Sequence, residues 1–232
     1  MKKIRPVLLV LSVLYTLPLL GQTAQTSANQ RAQVHSKEVH GATTPGQIPY
    51  LLVHSSGDVH LSFGRTAGRI MPPDATGVIA ELTCGTESDL IVLGKLGKGI
   101  SSPTVDQGYI YTDWDLTVEQ VFRNAATTSV QPGETIVVTR PGGELTINRR
   151  HVYAIEDDFP RFHAGEEVVL YLRSLPSVGT YAISAPNGFY LSKSNVIPFY
   201  KGYAHLFIGV QRDDFLQLVQ AAPICIASLR ED

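Results

Sequence analysis

Short apolar runs separated by Gly, Pro and Asn dominate the chain between Ser88 and Leu191. These runs are DLIVLGKL, YIYTDWDLTVEQVF, ETIVVTR, EEVVLYLRSL and TYAIS. Short runs rich in Val, Ile, Thr and aromatic residues, bounded by turn residues, are typical of β-strands. The chain is therefore predicted to be mainly β, with the core of the fold at about residues 86–191.

The clearest predicted strand runs from Ile110 to Val118, where the two faces alternate. One face carries Ile110, Thr112, Trp114, Leu116 and Val118, and the other carries Tyr111, Asp113, Asp115, Thr117 and Glu119. Period-two alternation predicts one buried and one solvated face, which places the only tryptophan in the core. The run Glu166–Leu172 is more continuously apolar, which predicts a strand near the centre of the fold.

Two hairpins and a C-terminal helix complete the predicted elements. Residues 49–63 read as an N-terminal hairpin with its turn at Ser55–Asp58, and Asn187-Gly188 reads as a second hairpin turn between 180–185 and 189–192. Residues 75–84 fit either a short helix capped by Asp74 or a strand. Asp213 is predicted to cap a helix at about 213–221.

The first residues have the layout of a secretory signal peptide. Lys2, Lys3 and Arg5 precede an apolar run at 7–20, and small polar residues follow. We expect a signal peptide at 1–28, a disordered leader at 29–46 and a single β-rich domain at 47–232. An uncleaved membrane anchor is the alternative, although the run is short for a bilayer span. The expected location is secreted or periplasmic, with no transmembrane segment after cleavage.

The charge balance argues against nucleic acid as a partner. Removing residues 1–28 takes away three of the 19 basic residues and none of the 21 acidic ones, so the net charge moves from −2 to −5. A protein that binds nucleic acid through its phosphates needs clustered Lys and Arg, and an acidic exported chain does not fit that requirement.

Two cysteines, Cys84 and Cys225, remain after export. An oxidising compartment allows them to form a disulfide, which would close a loop of about 140 residues and stabilise the fold by roughly 4–5 kcal/mol. The alternative is two buried, unpaired cysteines that act as small hydrophobic residues.

The order of DLIVLGKL, the long strand ending in TVEQVF, then PGETIVVTRPGG and FHAGEEVVLYLR resembles netrin-like domains. These are the OB-fold barrels of tissue inhibitors of metalloproteinases and related secreted modules. The resemblance implies an OB-like small β-barrel, here with an N-terminal hairpin and a C-terminal helix. It does not extend to zinc chelation, because the expected mature start lacks the N-terminal cysteine with which those inhibitors bind the protease metal.

No catalytic signature accompanies this fold. A G-x-S-x-G elbow is absent, and the glycines from Gly94 to Gly99 are followed by Ile100-Ser101 where a phosphate-binding loop requires Lys-Ser/Thr. No cofactor is predicted. The leading hypothesis is a secreted, non-enzymatic module that binds a protein or a cell-surface component.

Basic and aromatic side chains supply the candidate ligand-binding residues. Arg140, Arg149 and Arg150, with Arg161 nearby, are predicted to line one end of the fold and to receive an acidic ligand, because guanidinium groups pair bidentately with carboxylates. Tyr111 is one of several tyrosines expected to offer aromatic surface for recognition.

Two alternative functions stay open. The first is a metal-dependent or hydrolytic enzyme with an unfamiliar site. Its metal version uses His54 and His60 facing each other across the first hairpin, with Asp58 as a third ligand. Its carboxylate version uses Asp113 and Asp115 with Glu119, either for acid/base chemistry or, helped by residues 156–158, for Ca²⁺. The second alternative is a structural cell-envelope protein.

Overall fold

The computed structural model describes residues 30–36, 44–63, 71–84, 88–126, 129–156, 159–183 and 187–222. These residues fold mainly as β-strands, which confirms the predicted class. The strands are β1 Val59–Phe63, β2 Leu90–Pro103, β3 Ile110–Asn124, β4 Thr135–Pro141, β5 Gly143–Ile147, β6 Arg150–Glu156, β7 Glu167–Leu175, β8 Thr180–Ala182, β9 Gly188–Leu191 and β10 Val196–Pro198. The helices are α1 (30–36), α2 Gln47–His54, α3 Ala75–Cys84, a 3-10 helix Lys201–Phe207 and α4 Arg212–Ala221.

The larger sheet has seven strands in the order β10-β9-β7-β2-β3-β4-β8. Strand β8 pairs with both β4 and β7, so β7, β2, β3, β4 and β8 form a hydrogen-bonded ring. The two long strands β2 and β3 bend around this ring at three register irregularities, the last of which lies between Leu96 and Gly99. Such bulges increase the local twist of a strand pair and allow a sheet to curl.

Two apolar clusters lie on opposite sides of the ring strands. The inner cluster contains alternate residues of the long strands, among them Leu90, Val92, Leu116, Val118, Val168, Leu170 and Leu172. The outer cluster joins Ile91, Val169 and Phe189 to α3, α4 and the 3-10 helix. Strand β7 is therefore buried on both faces, which confirms the prediction that the continuously apolar run is a central strand.

A second sheet, of three strands in the order β1-β6-β5, covers one end of the ring. Its buried residues Val59, Leu61, Val152 and Ala154 pack with Ile48 of α2 and with Tyr109, Ile110 and Tyr111 at the start of β3. Consequently both faces of β3 are buried at 110–112, and the predicted alternation of buried and exposed side chains appears only from Asp115 to Glu119.

The predicted N-terminal hairpin is wrong, because its first half is helix α2. A continuous apolar run does not by itself distinguish a buried helix from a strand, and Pro49 falls in the first helical turn, where the missing N–H costs little. Strand β1 pairs instead in parallel with β6, with Val59 opposite Val152. This partner lies about 90 residues away, so no local turn signal indicates it.

The predicted hairpin at Asn187-Gly188 is also not formed. Strands β8 and β9 both pair with β7 rather than with each other: β8 lies along Arg173–Leu175 and β9 along Glu167–Leu170. The backbone N–H of Tyr171 donates to the carbonyl of Asn187 at the point where β9 begins. One long central strand thus aligns two short ones.

Two helices flank the ring strands, one of them in a segment for which the sequence left helix and strand open. Segment 75–84 is helical, and the carboxylate of Asp74 accepts the N–H of Gly77 at 2.7 Å in its first turn. The C-terminal helix α4 is confirmed; it starts at Arg212, and Asp213 lies in its first turn rather than at its cap. In the described part of the chain, no helix is long and apolar enough to cross a membrane.

Helix α1 falls within the segment that the sequence predicts to be a disordered leader. It is ordered because it buries His35 completely and covers most of Ser36. The hydroxyl of Ser36 also accepts the backbone N–H of Val105 at 2.8 Å, which joins α1 to the loop between β2 and β3. The predicted signal peptide, 1–28, lies outside the described residues.

Candidate functional site

A cleft of about 280 Å³ opens where the three-stranded sheet meets the ring. Side chains and backbone of β2, β3, β4, β5 and β6 form its walls, and the loop at 159–163 forms its rim. Its lining residues are Gly99, Ser101, Thr112, Trp114, Arg140, Gly142, Gly143, Glu144, Tyr153, Ala154, Ile155, Phe159, Arg161, Phe162 and His163. This is the place in the described structure where charged, aromatic and apolar groups converge on one concave surface.

Arg140, the last residue but one of β4, is the buried cation of the cleft, with only 7% of its surface exposed. Its Nε donates to the carbonyl of Pro141 and its Nη1 to the carbonyl of Pro160, and its guanidinium lies 5.2 and 4.9 Å from the ring centres of Phe159 and Phe162. Burial lowers the pKa of Arg140, while neighbouring tyrosines and Glu156 raise it. The group stays charged, because an arginine does not deprotonate in a protein.

Trp114 of β3 forms the wall beside Arg140. The predicted core position is correct in part: the ring packs against the inner cluster, but it is only partly buried and also lines the cleft. Its Nε1–H is buried and has no hydrogen-bond partner among the described residues. The ring lies over Gly99, where a Cβ would come within 2.7 Å of the indole, so glycine at that position allows the ring to lie against β2.

Contacts besides those of Arg140 also hold the rim loop at 159–163. The Tyr190 hydroxyl donates to the carbonyl of Arg161 at 2.6 Å, and the Glu166 carboxylate accepts the N–H of His163 at 2.7 Å. Burial raises the pKa of Tyr190, which keeps its hydroxyl protonated and able to donate. The ring of Phe162 packs edge-on to Trp114 at 5.8 Å. The exposed side chains of Arg161 and His163 therefore project from a fixed backbone.

The floor of the cleft is the corner at which the chain leaves β4 for β5. Gly142 and Gly143 both have positive φ, 87° and 154°. A Cβ on Gly143 would come within 2.2 Å of the Thr112 hydroxyl and 2.5 Å of the Ser101 hydroxyl. These two hydroxyls lie 2.9 Å apart, and that of Thr112 donates to the carbonyl of Gly142. The corner therefore requires glycine, and its backbone lies against the hydroxyls that β2 and β3 contribute to the cleft.

An aromatic stack continues from the cleft across the outer face of the small sheet. Tyr153, a lining residue, stacks with His60 at 5.1 Å and with His151 at 5.9 Å. His151 also lies 3.2 Å from the carboxylate of Glu144, at the edge of the cleft. His60, predicted as a metal ligand, thus lies in an aromatic stack.

Arg149 and Arg150, predicted together as ligand-binding residues, have different environments. Arg149 is exposed at the tip of the β5–β6 hairpin, where it and Asn148 have φ of 64° and 52°. Arg150 points back into the molecule and donates to the carbonyls of Leu52 and Gly57 and to the Ser55 hydroxyl. Neither residue lines the cleft.

Tyr111 and His54 also lie away from the cleft. Tyr111 is buried under the small sheet and packs edge-on against His35 at 4.9 Å; burial raises its pKa. His54 ends α2 and stacks on Tyr50, with its Nδ1 2.8 Å from the carbonyl of Tyr50. Since His54 is on a helix and His60 on a strand, they do not face each other across a hairpin. Within the described ranges, no three His, Cys, Asp or Glu side chains are grouped to hold a metal ion.

The carboxylates proposed for acid/base chemistry are dispersed. Asp115 and Glu119 are exposed on β3, whereas Asp113 accepts a 2.6 Å hydrogen bond from the Thr139 hydroxyl. Glu156 is buried, and residues 157 and 158 lie outside the described residues. Cys84 ends α3 and is disulfide-bonded, while Cys225, its predicted partner, lies outside the described residues.

His35 forms a polar contact that the sequence does not indicate. Its Nε2 lies 3.2 Å from the hydroxyls of both Thr139 and Thr180, and its Nδ1 lies 3.4 Å from the Asp113 carboxylate without hydrogen-bond geometry. Burial lowers the pKa of His35, and the nearby Asp113 opposes that change. The group holds α1 against β3, β4 and β8.

No protein-family model matches the chain, and no curated protein is similar to it in sequence. The candidate site therefore depends on geometry. Of the predicted residues, Arg140 and Arg161 meet in the cleft, while Arg149, Arg150, Tyr111, His54 and His60 do not line it. The Gly142-Gly143 pair was a sequence signal for the corner of the cleft, because glycine marks places where other groups approach the backbone closely.

Proposed function

We propose that this protein is a secreted or periplasmic, non-enzymatic binding module. Its partner is a protein or a cell-surface component, and one group of that partner occupies the cleft. We further propose that the ring of five strands is a small OB-like barrel of the netrin-like kind. Barrels of this shape commonly bind ligands on one face, and the fold alone does not choose the ligand.

The unpartnered Nε1–H of Trp114 beside the buried guanidinium of Arg140 is the observation that carries this proposal. A buried donor without an acceptor is costly, and native proteins retain few of them without a role. Concave, largely apolar surfaces with a few convergent polar groups are the usual form of ligand sites. The cleft hydroxyls of Ser101 and Thr112 contact each other, and no histidine of the described ranges is bonded to either, which favours binding over nucleophilic catalysis.

Because Trp114 is the only tryptophan in the chain, its fluorescence reports directly on the cleft. Purified protein is titrated with fractions of cell-envelope extract while the emission of Trp114 is followed. A saturable change is expected, and it should weaken in Arg161→Glu at the rim but persist in the matched Arg149→Glu at the hairpin tip. Equal effects of the two substitutions, or turnover of a component in the fraction, would contradict the proposal.

A further inference from the structure

We propose that the group which enters the cleft is a carboxylate attached to an apolar ring. This inference rests on the proposed function, namely that the cleft is the ligand site, and it adds the chemical class of the ligand. Its carboxylate lies against Arg140 and Trp114, and its ring lies against the apolar wall.

The guanidinium of Arg140 supplies a buried, charged hydrogen-bond donor to the lining of the cleft. The Nε and Nη1 atoms of Arg140 are held by the carbonyls of Pro141 and Pro160, which fixes the plane of the guanidinium. Its Nη2 forms no hydrogen bond within the described residues and lies beside Gly142, 3.4 Å from where a Cβ on that glycine would be. The Nε1–H of Trp114, another lining residue, is buried and has no hydrogen-bond partner among the described residues. A guanidinium whose plane is fixed in this way pairs with carboxylate oxygens.

The charge of the lining favours an anion over a neutral acceptor. Among the described lining residues, Arg140, Arg161 and His163 are basic, and Glu144 is the one acidic side chain. Glu144 lies against His151, so it has a partner of its own. Arg140 is the most buried of these groups, and a charge in such surroundings interacts more strongly with a ligand than the same charge at an exposed surface.

The remaining surface and the size of the cleft define the rest of the ligand. Trp114, Ala154, Ile155 and Phe162 supply apolar and aromatic lining of the cleft. A volume of about 280 Å³ lies just below the usual range for small-molecule sites, roughly 300–1,000 Å³, so the group that enters is small. A single six-membered ring with its carboxylate fits this space, and aromatic faces such as that of Trp114 favour stacked or edge-on rings.

The test measures the binding of benzoate, benzamide and acetate to the full-length exported protein by calorimetry and Trp114 emission. Benzamide keeps the ring and removes the charge, whereas acetate keeps the charge and removes the ring. We expect saturable binding of benzoate, with benzamide and acetate each at least about tenfold weaker. We also expect Trp114→Phe, followed by calorimetry, and Arg161→Gln each to weaken benzoate at least about threefold, while Arg149→Gln leaves it unchanged. Melting curves of each variant verify that it is folded.

The outcomes separate this inference from the proposed function. Benzamide binding as tightly as benzoate, at a site sensitive to Trp114→Phe, overturns the carboxylate class but leaves the cleft as the ligand site. Failure of every ring compound and of the envelope fractions to change Trp114 emission overturns both. A peptide that ends in a free phenylalanine carboxylate identifies the source, since tighter binding than benzoate indicates a protein terminus and weaker binding indicates a free acid.

Discussion

Replacing Arg150 by alanine is expected to destabilise the fold, whereas replacing its neighbour Arg149 is not. Arg150 joins β6 to α2 and to the loop that follows it, by donating to the carbonyls of Leu52 and Gly57 and to the Ser55 hydroxyl. Arg149 is exposed and makes no hydrogen bond or ion pair with the described residues. The two side chains are chemically identical and adjacent, so they form a matched pair.

The magnitude follows from the three acceptors that Arg150 contacts. A hydrogen bond to a charged group contributes about 1.5–3 kcal/mol where it is buried. Arg150 is only half-buried, so water replaces part of each bond after substitution, and we expect a loss of about 2 kcal/mol in the free energy of unfolding. For a domain of this size that corresponds to a fall in Tm of about 4–8 °C. Arg149→Ala should stay within about 0.5 kcal/mol of wild type.

Chemical denaturation with urea, followed by circular dichroism, measures both variants under the same conditions. A change in midpoint without a change in slope identifies a pure stability effect. Arg150→Lys is informative as well, because one ammonium cannot reach all three acceptors, and it should recover less than half of the loss. Equal stabilities of Arg149→Ala and Arg150→Ala would refute the assignment of Arg150 as the link between the small sheet and α2.

Three further outcomes are expected. Burial lowers the pKa of His35 below its unfolded value of about 6.5, so the stability that neutral His35 gives the fold is complete above that pH and is lost as the pH falls toward the folded pKa. The Tm of wild type should therefore exceed that of His35→Gln by less at pH 5 than at about pH 7.5, and a constant difference would be inconsistent with this. Gly143→Ala should lower the free energy of unfolding by about 3 kcal/mol or more, because it combines a φ of 154° with a clash at 2.2 Å. Gly133→Ala, at φ 91° with open space around it, should lower it by only about 1 kcal/mol; similar losses in chemical denaturation would show that the clash is relieved elsewhere. Gly99→Ala should push the Trp114 ring toward solvent and shift its emission to longer wavelength, and an unchanged spectrum would contradict the packing of that ring on β2.

The strands of the ring could be predicted from the chain because their signals are local. Continuous burial of β7 and the alternation of Asp115 to Glu119 on β3 both arise from the period of a pleated strand. The C-terminal helix could be predicted for the same reason, since Phe215 and Val219 lie on one helical face. Each of these elements is specified within about ten residues.

The N-terminal third could not be predicted in the same way. Helix α2 and strand β1 acquire their positions from β6, whose residue Val152 lies opposite Val59. Helix α1 is ordered by His35, which fits between two threonines of β4 and β8. In both cases the deciding contact joins residues that are about 90 to 145 positions apart, and local turn residues do not indicate such a contact.

The same distinction applies to the candidate site. Composition alone identified arginines as candidates for an acidic ligand, but it did not separate Arg149 at a hairpin tip, Arg150 bonded to a loop and Arg140 buried in a cleft. Their side chains are equivalent, and only their surroundings differ. The cleft also depends on Gly99 and Gly143, whose role is to let other groups approach closely.

By itself, the sequence determined a mainly β chain, the central strand of its sheet, the C-terminal helix and the acidic balance of the region after residue 28, since periodicity and net charge are properties of the chain alone. Only the tertiary structure decided that five strands pair in a ring, that a parallel strand replaces a hairpin, and that Trp114 borders a cleft with Arg140. The physical reason is that burial and pairing over long separations depend on which surfaces meet, and many pairings satisfy the same local pattern.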